Sequence, residues 1–343
     1  MKYRLLGQTG LQVSELCLGT MTFGSSYYNI AAVDQSGANQ MVTRAWESGV
    51  NFFDTADVYS YGESEEILGR SVKECGIKRE SAIIATKVRS SMDPPSESAK
   101  LVDKNNLGLS RHHIMAACEN SLRRLGTDYI DLYQVHGWDI LTPMDETLRA
   151  LDDLVRHGKV RYIGCSNWSA RRLMKSLGQS ALHDWERFVS LQAYYSLVGR
   201  DLEHELLPLC REEGLGVLVW SPLSGGFLSG KYRRDDPTPE GARRNSFAFP
   251  PIDAARGFDA VDALSEIATN HKASVAQVAL AWLLAQPGVT SIIIGANKMS
   301  QLDDNLKAAE LELSEEEISK LSATTQPGQI YPQWMIELQN QGR

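Results

Sequence analysis

Four polar side chains in this 343-residue chain close, or directly follow, short apolar runs. Asp54 and Tyr59 stand in VNFFDTADVY, Lys87 ends AIIATK, and His136 ends YIDLYQVH. Together these types make a proton-transfer set. A free tyrosine titrates near about 10 and is a poor proton donor at neutral pH. A neighbouring ammonium favours the phenolate and lowers that value. An aspartate paired with the lysine holds it in place and keeps it charged. A histidine can donate a hydrogen bond to a carbonyl oxygen. Such groups can protonate the oxygen of an aldehyde or ketone while a hydride reaches its carbon, with no need for a metal. Singly, each has a plainer reading: the tyrosine as packing, the lysine as a solvated strand end, the histidine as a structural residue. Convergence on one pocket is what makes them a site, so the elements that carry them matter.

Candidate strands cover 15–19, 50–54, 82–86, 129–135, 160–164, 188–192, 215–220 and 290–294. Several are continuous apolar runs, as expected for strands buried on both faces of a parallel sheet. Amphipathic stretches lie between them at 37–48, 63–75, 110–125, 144–157, 169–178, 201–213 and 300–309. The 144–157 stretch places Met144, Leu148, Leu151 and Leu154/Val155 on one helical face and stops at Gly158. The alternation predicts an α/β fold, a (β/α)8 TIM barrel occupying 1–343 as one domain. In such a barrel all strands end on one face, where the four residues can meet. Longer segments at 88–109, 221–256 and the tail 323–343, which holds Tyr331 and Trp334, are expected to shape the pocket from that face.

The bulk composition narrows the classes. A net charge of -8 gives no global basic field for nucleic acid. Five scattered cysteines without a CxxC pair read as reduced thiols of a cytoplasmic protein. The start, MKYRLLGQTGLQVSELCLG, has no apolar core of a signal peptide, and no stretch is long enough to span a membrane. No HxH or HExxH cluster supports a metal-dependent hydrolase.

From LGQTGLQVSELCLGTMTFG through IIIGANKMSQLDDNL, the chain resembles the aldo-keto reductase family over nearly its whole length. The family's Asp, Tyr, Lys and His match Asp54, Tyr59, Lys87 and His136. The resemblance implies Tyr59 as general acid, tuned by Lys87 and Asp54, with His136 orienting the carbonyl. In alcohol oxidation Tyr59 acts as the base.

The resemblance also implies a nicotinamide cofactor, NADP(H) with NAD(H) as the other possibility, held without a Rossmann fold. A missing GxGxxG is then no objection. Ser166 and Asn167 in GCSNWS, with Gln192, match residues that hold the carboxamide. Trp220 matches an aromatic that stacks on the nicotinamide, and Gly19, Thr20 and Met21 match residues that line the cofactor. For the pyrophosphate, SPLSGGFLSGKY offers Ser221, Pro222, Leu223, Gly225 and Lys231. GGFLSGK nearly spells a phosphate-binding loop of ATPases, but Tyr232 stands where the metal-binding hydroxyl belongs, and RRDDPTP does not read as a helix. The adenosine end is expected at Gly295, Ala296, Asn297, Lys298, Gln301, Asp304 and Asn305, beside a helix N-terminus that favours phosphate. Where many relatives carry Arg in a GAR motif, this chain has Asn297, so a 2′-phosphate must be met by Lys298, Arg243 or Arg244.

Met21, Phe23, Tyr27, Tyr28, Val58, Trp138 and Trp334, in or near the active-face loops with Tyr59 and His136, suggest a hydrophobic carbonyl or alcohol substrate, large or cyclic, while long loops could equally close on a small aldehyde. This reading expects a small-molecule partner, no nucleic acid and no membrane, and leaves the oligomeric state open. The alternative is a cofactor-sensing regulatory subunit similar to potassium-channel β subunits, which retain the four residues. The barrel signature begins within the first few residues, with no extended N-terminal arm, and this favours the plain enzyme.

Overall fold

The computed structural model describes all residues except 26, 29, 31, 93–103, 238, 241 and 343. The chain opens with a short antiparallel hairpin, β1 (Tyr3–Leu5) and β2 (Gln12–Ser14). Eight parallel strands then close a barrel: β3 (Leu16–Gly19), β4 (Phe52–Asp54), β5 (Ile83–Val88), β6 (Ile130–Val135), β7 (Val160–Ser166), β8 (Phe188–Tyr194), β9 (Gly216–Trp220) and β10 (Val289–Ile294). Each strand pairs with the next in sequence, and β10 closes on β3. This is the TIM barrel that the alternation predicts. Three strands run further than expected, β8 by two residues to Tyr194. Lys87 lies inside β5 rather than just past it, and Ser166 ends β7.

The hairpin lies outside the sequence expectation, because three-residue strands are too short to display alternation. It closes the amino end of the barrel. Leu6 and Val13 pack with Cys17, Phe52, Ile83, Ala85, Leu132 and Leu218 in a cluster separate from the main core. Chemistry is thereby left to the opposite face.

The helices around the barrel are α1 (Gln35–Glu47), α2 (Glu63–Glu74), α3 (Arg111–Leu125), α4 (Met144–Arg156), α5 (Ala170–His183), α6 (Leu206–Glu212), α7 (Arg243–Ser246), α8 (Ala254–His271), α9 (Val275–Leu284), α10 (Met299–Leu306), α11 (Glu315–Thr324) and α12 (Gln333–Asn340). The expected helix at 201–213 is broken into a 3-10 turn (Asp201–Glu203) and the shorter α6. Pro208 explains this: it fits the first turn of α6, where its missing N–H is not needed, but not the middle of a longer helix. Helices α7, α8, α9, α11 and α12 were not expected. Residues 276–283 of α9 are all buried, so its sequence, VAQVALAWLL, shows no polar stripe.

Part of the 88–109 segment, 93–103, lies outside the described residues. Its end is anchored: Leu109 donates its N–H to Asp139 Oδ2 at 2.8 Å and accepts from Thr147 Oγ1 at 2.9 Å. In the tail, α12 buries no residue and is held to the segment after β8, with His204 Nδ1 3.0 Å from Gln333 Oε1. Among the described residues no helix is long and apolar enough to cross a membrane.

Candidate active site

Lys87 is the centre of the site. Its side chain is fully buried, and burying an ammonium is costly unless all its donors are satisfied. All three are: Nζ donates to Asp54 Oδ2 at 2.5 Å, to the Thr55 carbonyl at 2.8 Å and to Tyr59 Oη at 3.3 Å. Asp54, the last residue of β4, uses its other oxygen for Gln192 Nε2 at 2.8 Å and Gln134 Nε2 at 3.2 Å. Gln134 was not singled out from the sequence. The available signal was a polar residue two positions before His136, on the same side of β6 by strand alternation.

Tyr59 follows β4 on a tight 3-10 turn in which Ser60 and Tyr61 take left-handed φ angles of 48° and 54°. It is 8% exposed and sits edge-on to the half-buried His136 ring, with centroids 5.7 Å apart. The structure thus brings Asp54, Tyr59, Lys87 and His136 together from three strands.

The electrostatics differ from expectation at one point. Burial raises the Tyr59 phenol above its ordinary pKa; Lys87 opposes this but does not outweigh it. The resting group is a neutral phenol. Burial depresses Lys87, but Asp54 and then Tyr59 outweigh it, and the ammonium is held above its ordinary range. His136 falls well below the usual histidine value, chiefly by burial and then by the charges of Lys87 and Arg89, so its ring is neutral. Its Nδ1 is buried without a hydrogen-bond partner.

The residues expected at the nicotinamide lie beside this centre. Ser166 and Gln192 pair in register, and Ser166 Oγ is buried with no partner. Asn167, exposed and left-handed (φ 58°), donates to the His136 carbonyl at 3.3 Å and accepts from Trp220 Nε1 at 3.0 Å. Trp220 already has a parallel neighbour in Phe249, at 5.6 Å. Thr20 is buried, with its hydroxyl 3.2 Å from the Asp54 carbonyl and 2.8 Å from Ser64 Oγ. Gly19 ends β3, where an added Cβ would lie 2.6 Å from Ile293 Cγ2.

The phosphate and adenosine residues divide. Ser221 Oγ accepts from Gly225 N at 3.1 Å, closing a tight turn that includes the buried Pro222 and the half-buried Leu223. Gly225 has φ 67°, and a Cβ there would come 2.4 Å from the Phe249 carbonyl, so only glycine fits. Lys231 and Lys298 are exposed, the latter capping α10. Asn297 N donates to Gln301 Oε1 at 2.9 Å, Asn305 Nδ2 reaches the Gly295 carbonyl at 3.4 Å, and Ala296 is buried. Two expected residues also make structural hydrogen bonds. Asp304 accepts from Ser274 Oγ and Gln277 Nε2, each at 2.7 Å, and so anchors the start of α9. Arg244 donates to the Ser224 and Pro250 carbonyls at 3.0 and 2.8 Å, bracing its own loop. Arg243 is half-buried over the Phe247 ring, 5.6 Å from its centroid.

Of the substrate candidates, Val58 and Tyr59 form a small buried cluster with Ala56, against which Met21 and Tyr27 pack. Tyr28 is 64% exposed and Trp138 is half-buried. Phe23 is fully buried in the main core and offers no surface to a ligand. Trp334 sits on α12, tilted against Tyr331. An aromatic arch missed by sequence reasoning spans the face: Trp220, Phe249, Phe247, Tyr28, Tyr27 and Tyr59 each touch the next.

Comparison with known proteins agrees with this architecture. A sequence model described as the aldo/keto reductase family matches residues 15–325. An uncharacterized oxidoreductase of Bacillus subtilis is 38% identical, over 94% of this chain and 95% of its own. The versiconal hemiacetal acetate reductase of Aspergillus parasiticus is 33% identical, over 97% and 99%. A putative voltage-gated potassium channel subunit beta of Schizosaccharomyces pombe is 37% identical, over 90% and 88%. With a closed eight-stranded barrel and a family match over nearly all its length, this chain belongs to the aldo/keto reductase family, whose membership supports carbonyl oxidoreductase activity.

Proposed function

We propose that the protein is an NADP(H)-dependent oxidoreductase that reduces an aldehyde or ketone to an alcohol, reversibly, with Tyr59 as general acid. The observation that carries this reading is the Lys87 ammonium, fully buried and donating at once to Asp54 and Tyr59. Burial keeps Tyr59 loaded with its proton. When that proton passes to the carbonyl oxygen, the phenolate left behind lies 3.3 Å from the ammonium, which stabilises it. His136 is neutral, and with no acceptor beside Nδ1 its proton belongs on Nε2, as a donor to the carbonyl oxygen.

The residues at hand fit a nicotinamide cofactor. The buried, unpartnered Ser166 hydroxyl offers a hydrogen bond to a carboxamide beside Asn167 and Gln192. Exposed Lys298, at the N-terminus of α10, offers a 2′-phosphate both charge and backbone N–H groups, with Arg243 as a second cation. When bound, the reduced cofactor supplies the hydride for the carbonyl carbon.

The similarity to a putative channel subunit motivates a second reading, a cofactor-sensing regulatory subunit. One experiment separates them. Tryptophan quenching with NADPH and NADH measures binding, and aldehyde-dependent NADPH oxidation measures turnover, in wild type and Tyr59→Phe. The proposal expects tighter binding of NADPH than of NADH, binding retained in the variant, and turnover reduced about 10²–10⁴-fold. Wild-type turnover in Tyr59→Phe removes the general-acid role. Tight binding with no turnover of any carbonyl by the wild type favours the regulatory reading.

A further inference from the structure

The backbone that receives Lys87 is itself held by a cluster of buried hydroxyls. Pairing of β4 with β3 ends at Gly19 and Asp54. The next residue, Thr55, gives its carbonyl to Lys87 Nζ at 2.8 Å. Where the ladder stops, the fully buried hydroxyls of Thr20, Thr55 and Ser64 come together. Ser64 Oγ donates to the Thr20 carbonyl at 2.8 Å. It also lies 2.8 Å from Thr20 Oγ1 and 3.0 Å from Thr55 Oγ1. A hydroxyl has one proton and two acceptor sites. With its proton on the Thr20 carbonyl, Ser64 Oγ can accept from both threonines. Thr20 in turn donates its N–H to the Asp54 carbonyl at 2.9 Å.

Ser64 stands in the first turn of α2, a region where serine ordinarily caps its own helix. Here Gly62 takes the cap position, and the Ser64 hydroxyl is turned to the ends of β3 and β4 instead. The consequence reaches Lys87. Two of the three acceptors of its ammonium, Asp54 Oδ2 and the Thr55 carbonyl, belong to the two residues that this cluster ties down. The third, Tyr59 Oη, is the most distant at 3.3 Å. A drift of the Thr55 carbonyl therefore moves the cation relative to the phenol, and stabilisation of a developing charge depends on such fixed geometry.

We propose that Ser64 is a positioning residue: through Thr20 and Thr55 it holds the Asp54–Thr55 backbone so that the Lys87 ammonium stays set against Tyr59. The effect on rate rests on the carbonyl-reductase reading; the effect on the ammonium does not.

The test uses Ser64→Ala and the pair Thr55→Val and Thr55→Ser. Valine keeps the shape of threonine without the hydroxyl, and serine keeps the hydroxyl, so the pair decides the matter even where Ser64→Ala folds poorly. Single-turnover oxidation of bound NADPH by benzaldehyde isolates the chemical step from product release. Its rate should fall about three- to tenfold in Ser64→Ala and Thr55→Val, and less in Thr55→Ser. The NADPH Kd and the half-saturating aldehyde concentration should stay within about twofold, the split expected when a positioning contact and not a binding contact is lost. Lysine ¹⁵N NMR follows the ammonium itself, as the slowly exchanging signal of a fully buried lysine. Its proton exchange with water should quicken in the same two variants. An unchanged rate, an undisturbed ammonium, or equal behaviour of Thr55→Val and Thr55→Ser overturns the proposal, as does a loss confined to binding. If the wild type reduces no carbonyl but its ammonium responds as described, the reductase reading fails and the positioning of Lys87 by Ser64 stands.

Discussion

The buried Lys87–Asp54 pair makes a double-substitution test decisive. Lys87 is fully buried and the Asp54 side chain is 3% exposed, so neither charge is solvated by water. In Lys87→Met, Asp54 keeps the Gln192 and Gln134 bonds on Oδ1, but Oδ2 loses its 2.5 Å partner and becomes an uncompensated buried charge. Removing one member of such a pair costs about 3–5 kcal/mol. Against a total stability of about 5–15 kcal/mol, this lowers the folded-to-unfolded ratio by roughly two to four orders of magnitude. Adding Asp54→Asn removes the stranded charge while keeping an acceptor for the two glutamines. Urea unfolding followed by tryptophan fluorescence should therefore show the double variant more stable than Lys87→Met by about 2 kcal/mol or more. Aldehyde-dependent NADPH oxidation should stay low in both, since neither offers a cation to the Tyr59 phenolate. A double variant no more stable than the single one would refute the claim that Lys87 is present to neutralise a buried carboxylate. Activity restored by Asp54→Asn would refute the claim that the cation is needed at Tyr59.

Three further outcomes follow from the structure. In the proposed mechanism Tyr59 donates only while protonated, and burial holds its pKa above the ordinary value, so carbonyl reduction should keep its proton donor up to about pH 10. His136 must be neutral and titrates well below its usual value, so the kcat/KM profile should show no acid limb near about pH 6.5; a limb there, or an alkaline one near neutrality, contradicts these assignments. Gly69 lies in α2 where an added Cβ would sit 2.2 Å from the Leu125 carbonyl of α3, a backbone contact that cannot swing aside. Gly69→Ala should therefore destabilise by about 1–3 kcal/mol in urea titration, despite the helix preference for alanine; a neutral or stabilised variant would show that the helices can part without cost.

The barrel was legible in the chain because its signals are local. Continuous apolar strands, amphipathic helices between them and polar residues at strand ends are each contained in about ten consecutive residues. The helices α8 and α9 escaped notice for the same reason. Buried nearly all round, α9 has no stripe to show, and the long loop ahead of α8 hides where it starts. The hairpin β1–β2 was too short to register. At the site, the residue types at 54, 59, 87 and 136 could be read directly, and their relation to one another followed only from assuming the barrel.

By itself, then, the sequence determined the fold, the family and which side chains stand in or just after the carboxyl ends of β4, β5 and β6. The tertiary structure decided what those side chains do to each other. Lys87 and Asp54 are 33 positions apart, and Gln192 is 138 from Asp54, so their contacts leave no trace in any local window. Asp304, read as an adenosine-end residue, also holds the start of α9, and Arg244, read as a 2′-phosphate cation, also braces its own loop, because hydrogen-bond partners are assigned by proximity in the folded chain. The state of Tyr59 was decided in the same way. A lysine nearby in the sequence argument lowers its pKa, but dehydration depends on everything packed around the ring, and in the folded barrel that effect is the larger.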